Sequence, residues 1–155
     1  MRTKLEWELF YASNGDVMPE HRLDLDLTSW YRVEITPFPT PRPRFTKKGR
    51  IYNLPKYTRY LKNLTILIKE WRIPRKDYYK LDAGFFMPYP KGTAKIRSID
   101  NVPHRKKPDR DNYEKGLMDA LEYAGVIVND GQISDGEILK RYTTEKRGFI
   151  LFNLN

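Results

Sequence analysis

Apolar and polar positions alternate at the start of the chain, with Leu5, Trp7, Leu9 and Tyr11 set against Lys4, Glu6 and Glu8. That period belongs to a half-buried strand. Ser13-Asn14-Gly15-Asp16 reads as a turn, and alternation resumes at Leu23, Leu25 and Leu27 and at Tyr31, Val33 and Ile35. The prolines between Pro37 and Pro43 stop the last of these strands. From Pro55 the spacing changes to threes and fours at Tyr57, Tyr60, Leu61, Leu64, Leu67, Ile68 and Trp71, which paints one face of a helix. Leu81, Ala83, Phe85 and Met87 alternate again, while Lys91 to Lys107 is polar and basic and predicts a loop. Tyr113, Leu117, Ala120, Leu121 and Ala124 mark a second helix that Gly125 can close in a left-handed conformation. Val126-Ile127-Val128 predicts a short buried strand. Glu137 to Thr143 and Phe149 to Leu154 predict a closing hairpin around a charged turn. The sum is an α+β fold, a mixed β-sheet flanked by two main helices.

Length and composition narrow this picture. At 155 residues and 18.5 kDa the chain has enough mass for one core, and it contains no repeat, internal linker or low-complexity tract. A net charge of +9 makes phosphate-bearing partners the leading expectation, because neutralising phosphates releases condensed counterions. The absence of cysteine excludes disulfides, thiolate nucleophiles and cysteine-ligated zinc. No apolar run approaches the roughly 20 residues that span a bilayer, and MRTKLEWELF lacks the apolar segment of a signal peptide, so a soluble intracellular protein is expected.

Carboxylates gather where this basic chain reads KPDRDNYEKGLMDALEYAGVIVNDGQ, from Lys107 to Gln132. Asp111 with Glu114 has the spacing of a helix cap, and Asp111, Lys115 and Asp119 lie four apart, as in a surface ion-pair ladder worth roughly 0.3 to 0.5 kcal/mol per pair. Neither explanation accounts for Asp109 or Asp130. Two aspartates two positions apart, joined by a third from another element, suit a hard divalent cation such as magnesium, which bridges one or two carboxylates to substrate phosphate. Phosphodiester hydrolysis needs an activated water, a clamp on the non-bridging oxygens and relief of charge on the leaving oxygen, all of which metal ions can supply. Lys115 is a candidate for extra positive charge at the scissile phosphate, with a wet helix-face ion pair as its equal rival.

KPDRDNYEKGLMDAL followed by VIVNDGQI closely resembles the signature of RusA-type Holliday junction resolvases: K-P-D-x-D-N, a lysine four residues after the second aspartate, D-A-L, then D-D-x-Q-[IV]. The upstream TPFPTPRPRFTKKGRIYNLPKYTRYLKNL is similar to the family's N-terminal half. The resemblance covers roughly residues 31 to 154, which divides the chain into a divergent N-terminal strand or hairpin extension, 1–30, packed on an endonuclease core, 31–155. It implies that Asp109, Asp111 and Asp130 bind metal and that Lys115 is the catalytic lysine. Asn129 departs from the family's acidic pair and cannot supply anionic charge. The resemblance further implies a homodimer that cuts symmetrically opposed strands of four-way DNA junctions with magnesium, for which manganese can substitute, and with no small-molecule cofactor and no membrane partner. It places the protein in a prokaryotic cytoplasm, with a phage or prophage origin open.

Between Glu34 and Glu70 there is no acidic residue, whereas Arg42, Arg44, Lys47, Lys48 and Arg50 fall in one Pro- and Gly-containing loop. Such a block suits phosphate contacts that position a duplex without reading bases. Lys106 and Lys107 lead a second basic cluster into the acidic site, and His104 is weighed as a proton carrier against a plain polar loop residue. Phe45 and Tyr52 are candidates to stack on unpaired bases. Two other classes stay open: a non-catalytic branched-DNA-binding protein, and a metal-dependent nuclease for flaps or linear duplex.

Overall fold

The computed structural model describes residues 30–92 and 102–155. Seven strands are present there: β1 (Tyr31–Val33), β2 (Arg44–Phe45), β3 (Ile51–Tyr52), β4 (Leu81–Pro88), β5 (Val102–Pro103), β6 (Ile138–Thr143) and β7 (Phe149–Leu154). Five form a mixed sheet in the order β1-β7-β4-β6-β5, while β2 and β3 pair only with each other. With helices α1 (Pro55–Glu70) and α2 (Arg110–Tyr123), this is the expected α+β fold.

Helix α1 starts at Pro55, whose missing amide hydrogen costs nothing in a first turn, and buries Tyr57, Tyr60, Leu64 and Ile68 along one stripe. Its end is fixed by the Trp71 indole, which donates to Arg32 O at 3.0 Å. Helix α2 buries Tyr113, Gly116, Leu117, Met118, Ala120 and Leu121, and Gly125 follows at φ 76°, the left-handed conformation that a Cβ disfavours.

Strand β4 is the centre of the sheet because both of its faces are apolar. Leu81, Ala83, Phe85 and Met87 pack with Leu64, Ile68, Leu117 and Leu121 from the helices. Phe86 joins Trp30, Phe149 and Leu151 in a second cluster, stacked on Phe149 at 4.5 Å. The alternation read along this strand therefore marks two buried faces, not one. Even Asp82 is buried, where it accepts the Glu137 N–H at 2.9 Å and pairs with Lys80 at 3.3 Å.

Four expectations are corrected. The segments ending the chain are strands but not a hairpin: β4 lies between them, parallel to β6 and antiparallel to β7, with Phe85 opposite both Lys140 and Ile150. Val126 to Val128 is no strand, since the Val126 N–H returns to Leu121 O and the Val128 N–H goes to Gln132 Oε1 at 3.0 Å. Val126 and Ile127 are nevertheless buried. The basic loop around residues 42–50 contains the β2–β3 ribbon, with Arg44 opposite Tyr52 and Phe45 opposite Ile51. The segment Lys91 to Lys107 also contains β5, whose Val102 faces Tyr142. Residues 93–101, and the strands and turn expected between 4 and 27, lie outside the described residues.

Candidate metal and nucleic-acid site

The mouth of α2 presents Asp109 and Asp111 on either side of Arg110. Asp109 is the N-cap residue, with φ −69° and ψ 152°, and its carboxylate makes no capping bond. The cap weighed for Asp111 does not form either, because Asp111 already lies inside the first turn. One cleft beside the helix is lined by His104, Lys106, Lys107, Asp109 and Lys140. A second is lined by Asp111, Glu114, Gly136 and Glu137, and Arg110 borders both, its guanidinium donating to Ile138 O at 3.2 Å. The Lys107–Pro108 bond before the helix is cis.

Asp130 stands elsewhere. It opens a short 3-10 turn, Asp130–Gln132, exposed and outside both clefts. Among the described residues, no three carboxylates or histidines gather closely enough to hold an ion. The chain thus brings Asp109 and Asp111 to one helix mouth and leaves Asp130 on a separate turn. The donor chemistry still fits a hard cation: all three are oxygen ligands, and among the described residues no hydrogen bond or ion pair engages their carboxylates.

Lys115 pairs with Asp119 at 3.7 Å and not with Asp111. Half of the expected ladder is therefore present, at a wet surface where such pairs contribute little. The cations Arg42, Arg44, Lys47, Lys48 and Arg50 are all exposed along the β2–β3 ribbon and the residues leading into it. This arm is tied to the acidic helix, since the Thr40 N–H donates to Asn112 O at 2.9 Å and Thr40 Oγ1 meets Tyr57 OH at 2.9 Å.

Residues 34–151 match the family model described as Endodeoxyribonuclease RusA. The chain belongs to this family. A crossover junction endodeoxyribonuclease RusA of Shigella sonnei is 31% identical over 111 residues, spanning 70% of this chain and 82% of the relative. A protein of the same name from Enterobacteria phage 82 is 37% identical over 65 residues, 42% of this chain and 50% of its own. One from Aquifex aeolicus is 42% identical over 50 residues, 32% of this chain and 40% of its own.

Within this RusA-family chain, sequence reasoning missed the place of four residues at the site. Lys140, from β6, donates to Pro108 O at 2.6 Å and to Lys106 O, which holds the segment entering α2 against the sheet. Burial lowers its pKa while the Asp109 charge opposes that shift, and both residues line the same cleft. Arg110 borders both acidic clefts. Burial raises the pKa of Glu114, Arg110 opposes the rise, and Asp111 adds to it. Gln132 braces the Asp130 turn by donating to Lys76 O at 2.9 Å while accepting the Val128 N–H. Only Gln132 had a local signal, its place in the N-D-G-Q string. His104 is a packing group: its ring lies 4.4 Å from Tyr142, and burial followed by the Lys140 charge lowers its pKa.

Proposed function

We propose that the chain is a magnesium-dependent endonuclease that resolves four-way (Holliday) DNA junctions by paired symmetric hydrolysis, acting as a homodimer. The observation that carries this reading is the pair of carboxylates, Asp109 and Asp111, that flank Arg110 beside a cleft lined with lysines and make no hydrogen bond or ion pair among the described residues. Asp109, Asp111 and Asp130 would hold the divalent ion, which when bound polarises phosphate oxygens and lowers the pKa of water. Lys106 and Lys107 bind phosphate at the rim of Asp109's cleft, Lys140 fixes the approach of that segment, and Lys115 offers a further ammonium on the next turn of α2. A two-fold dimer presents two such mouths, matching the two-fold symmetry of the junction. Residues 1–30 precede the family match, which begins at residue 34. The phage relative supports a phage or prophage setting in a prokaryotic cytoplasm, and among the described residues no helix is long and apolar enough to cross a membrane.

Incubating a synthetic four-way junction with magnesium, and in parallel with EDTA, tests the reading. Symmetric nicks that require magnesium support it. A mobility shift alone under both conditions would instead favour a binding-only protein, the rival that the separation of Asp130 from the other two acids keeps in view. Equal cutting of junction, flap and linear duplex would identify a broader nuclease.

The β2–β3 cations supply a second expectation. Lys47 and Lys48 sit exposed at the ribbon's turn, suited to holding phosphate without base readout. Replacing both with alanine lowers the slope of log affinity against log salt by about 0.9 for each phosphate no longer neutralised, hence about 1.8 in all. A binding titration at three salt concentrations reads this directly, and an unchanged slope would remove these lysines from the interface.

A further inference from the structure

The β2–β3 ribbon stands apart from the five-stranded sheet. Its strands are only two residues each, and its turn is closed by the Thr46 N–H donating to Arg50 O at 2.8 Å and the Arg50 N–H to Thr46 Oγ1 at 3.1 Å. The register places Phe45 opposite Ile51, so both side chains share one face of the ribbon. They are 67% and 66% exposed. Such a cross-strand pair stiffens the ribbon, but it leaves two large apolar side chains in water outside the five-stranded sheet, which calls for an occupant.

Charge decides what that occupant is. Arg42, Arg44, Lys47, Lys48 and Arg50 are exposed along the same ribbon and its approach, no acid occurs between Glu34 and Glu70, and among the described residues none of these cations makes an ion pair. A second copy docking face to face would bring the same cations against themselves. A polyanion would neutralise them. Apolar side chains carried between phosphate-binding cations are the chemistry by which proteins wedge into base steps and unstack them.

We propose, resting on the junction-resolving reading above, that Phe45 and Ile51 form an unstacking wedge that takes up the open base step at the point of strand exchange. The lysines and arginines of the same ribbon hold the phosphates on either side. Placement supports this: Thr40 is bonded to Asn112 in the first turn of α2, next to Asp111, and Arg44 follows four residues later. Four residues reach at most about 14 Å, so the ribbon's root stays within a few base steps of the acidic mouth. A linear duplex offers no open step, whereas a four-way junction offers one at its centre. The wedge is thus a specificity-determining element, separate from the groups that bind metal.

The test uses the full chain with Phe45→Ala/Ile51→Ala, against a four-way junction carrying 2-aminopurine at the exchange point and a linear duplex of the same sequence. The wild-type protein raises 2-aminopurine fluorescence and prefers the junction. The double variant loses the rise, and its junction-over-duplex preference falls about tenfold, the scale of one base stacked on an aromatic side chain. Its salt slope is kept, which Lys47→Ala/Lys48→Ala changes instead. A double variant with the wild-type rise and preference overturns the wedge alone. A wild-type protein with no junction preference overturns the functional reading as well. A double variant that passes from dimer to monomer in sedimentation overturns the wedge by making this face a contact between copies. Both side chains are exposed, so the variant keeps the wild-type melting temperature, which rules out misfolding as the cause.

Discussion

Asp111→Asn binds a four-way junction as the wild-type protein does and cuts it at least about 10²- to 10³-fold more slowly, the range found when one preorganised electrostatic group is removed from a hydrolytic site. Asparagine keeps the shape of the side chain and removes its charge, so the variant separates ligand chemistry from packing. Asp111 lies exposed in the first turn of α2, where a carboxylate also interacts with the helix dipole. If that were its whole purpose, the loss would be about 0.3 to 1 kcal/mol of stability, a shift of a few degrees in melting temperature, with cutting barely changed. Single-turnover cleavage in magnesium, a mobility shift in EDTA and a thermal melt together decide between the two. Wild-type nicking rates would remove Asp111 from the site. Asp130→Asn is the sharper companion, because Asp130 stands outside the two clefts that Asp109 and Asp111 line. Full activity in that variant would restrict the ligand set to the helix mouth.

How far the fold could be read from the chain depended on whether its signals were local. The stripe Tyr57, Tyr60, Leu64 and Ile68 and the run through Leu117 and Leu121 are local periodicities, and both became helices with those residues inward. Pairing partners are not local. The residues of β6 and β7 both read as strands, yet the short connection between them steps across β4, about twice the 4.8 Å strand spacing, instead of folding back on its neighbour. Nothing in Thr144 to Gly148 distinguishes that step from a hairpin turn. Val126 to Val128 failed for a related reason: three β-branched residues suit a buried strand, but their backbone bonds were already taken by the end of α2 and by Gln132.

The site divided along the same line. Asp109 and Asp111 could be placed at a helix mouth because the helix and its start were visible in the chain. Their setting could not, because Lys140 arrives from β6 and Glu137 from the residue before it, some 30 positions further on. Arg110 lay in plain view between the two aspartates, but its bridging of both clefts depends on Ile138 O, again from β6. The basic block from Arg42 to Arg50 was legible as charge, whereas the face shared by Phe45 and Ile51 required the register of the ribbon.

Gly136→Ala is the most damaging single change expected of the fold. Gly136 has φ 140°, a conformation that side-chain-bearing residues rarely adopt, and a Cβ there would lie 1.8 Å from Leu81 O and 2.6 Å from Leu81 C. No rotamer relieves this, because the obstacle is backbone. The close approach is what starts the parallel pairing: the Leu81 N–H donates to Asp135 O at 3.0 Å, the Ala83 N–H to Glu137 O at 2.9 Å, and the Glu137 N–H to Asp82 Oδ1 at 2.9 Å. A methyl group at 136 must push the chain off β4 just where β6 begins, and with it the wall of the cleft that holds Asp111 and Glu114. Backbone strain of about 1 to 3 kcal/mol and overpacking of similar size sum to about 3 kcal/mol or more, a large share of the 5 to 15 kcal/mol that stabilises a domain. For a chain of this length that lowers the melting temperature by about 6 to 12 °C. Gly125→Ala is the control, since Gly125 also has positive φ but nothing stands within 4 Å of its Cβ position, and it costs only about 1 kcal/mol. A Gly136→Ala protein that melts no lower than Gly125→Ala would show that β6 does not depend on this close approach for its register.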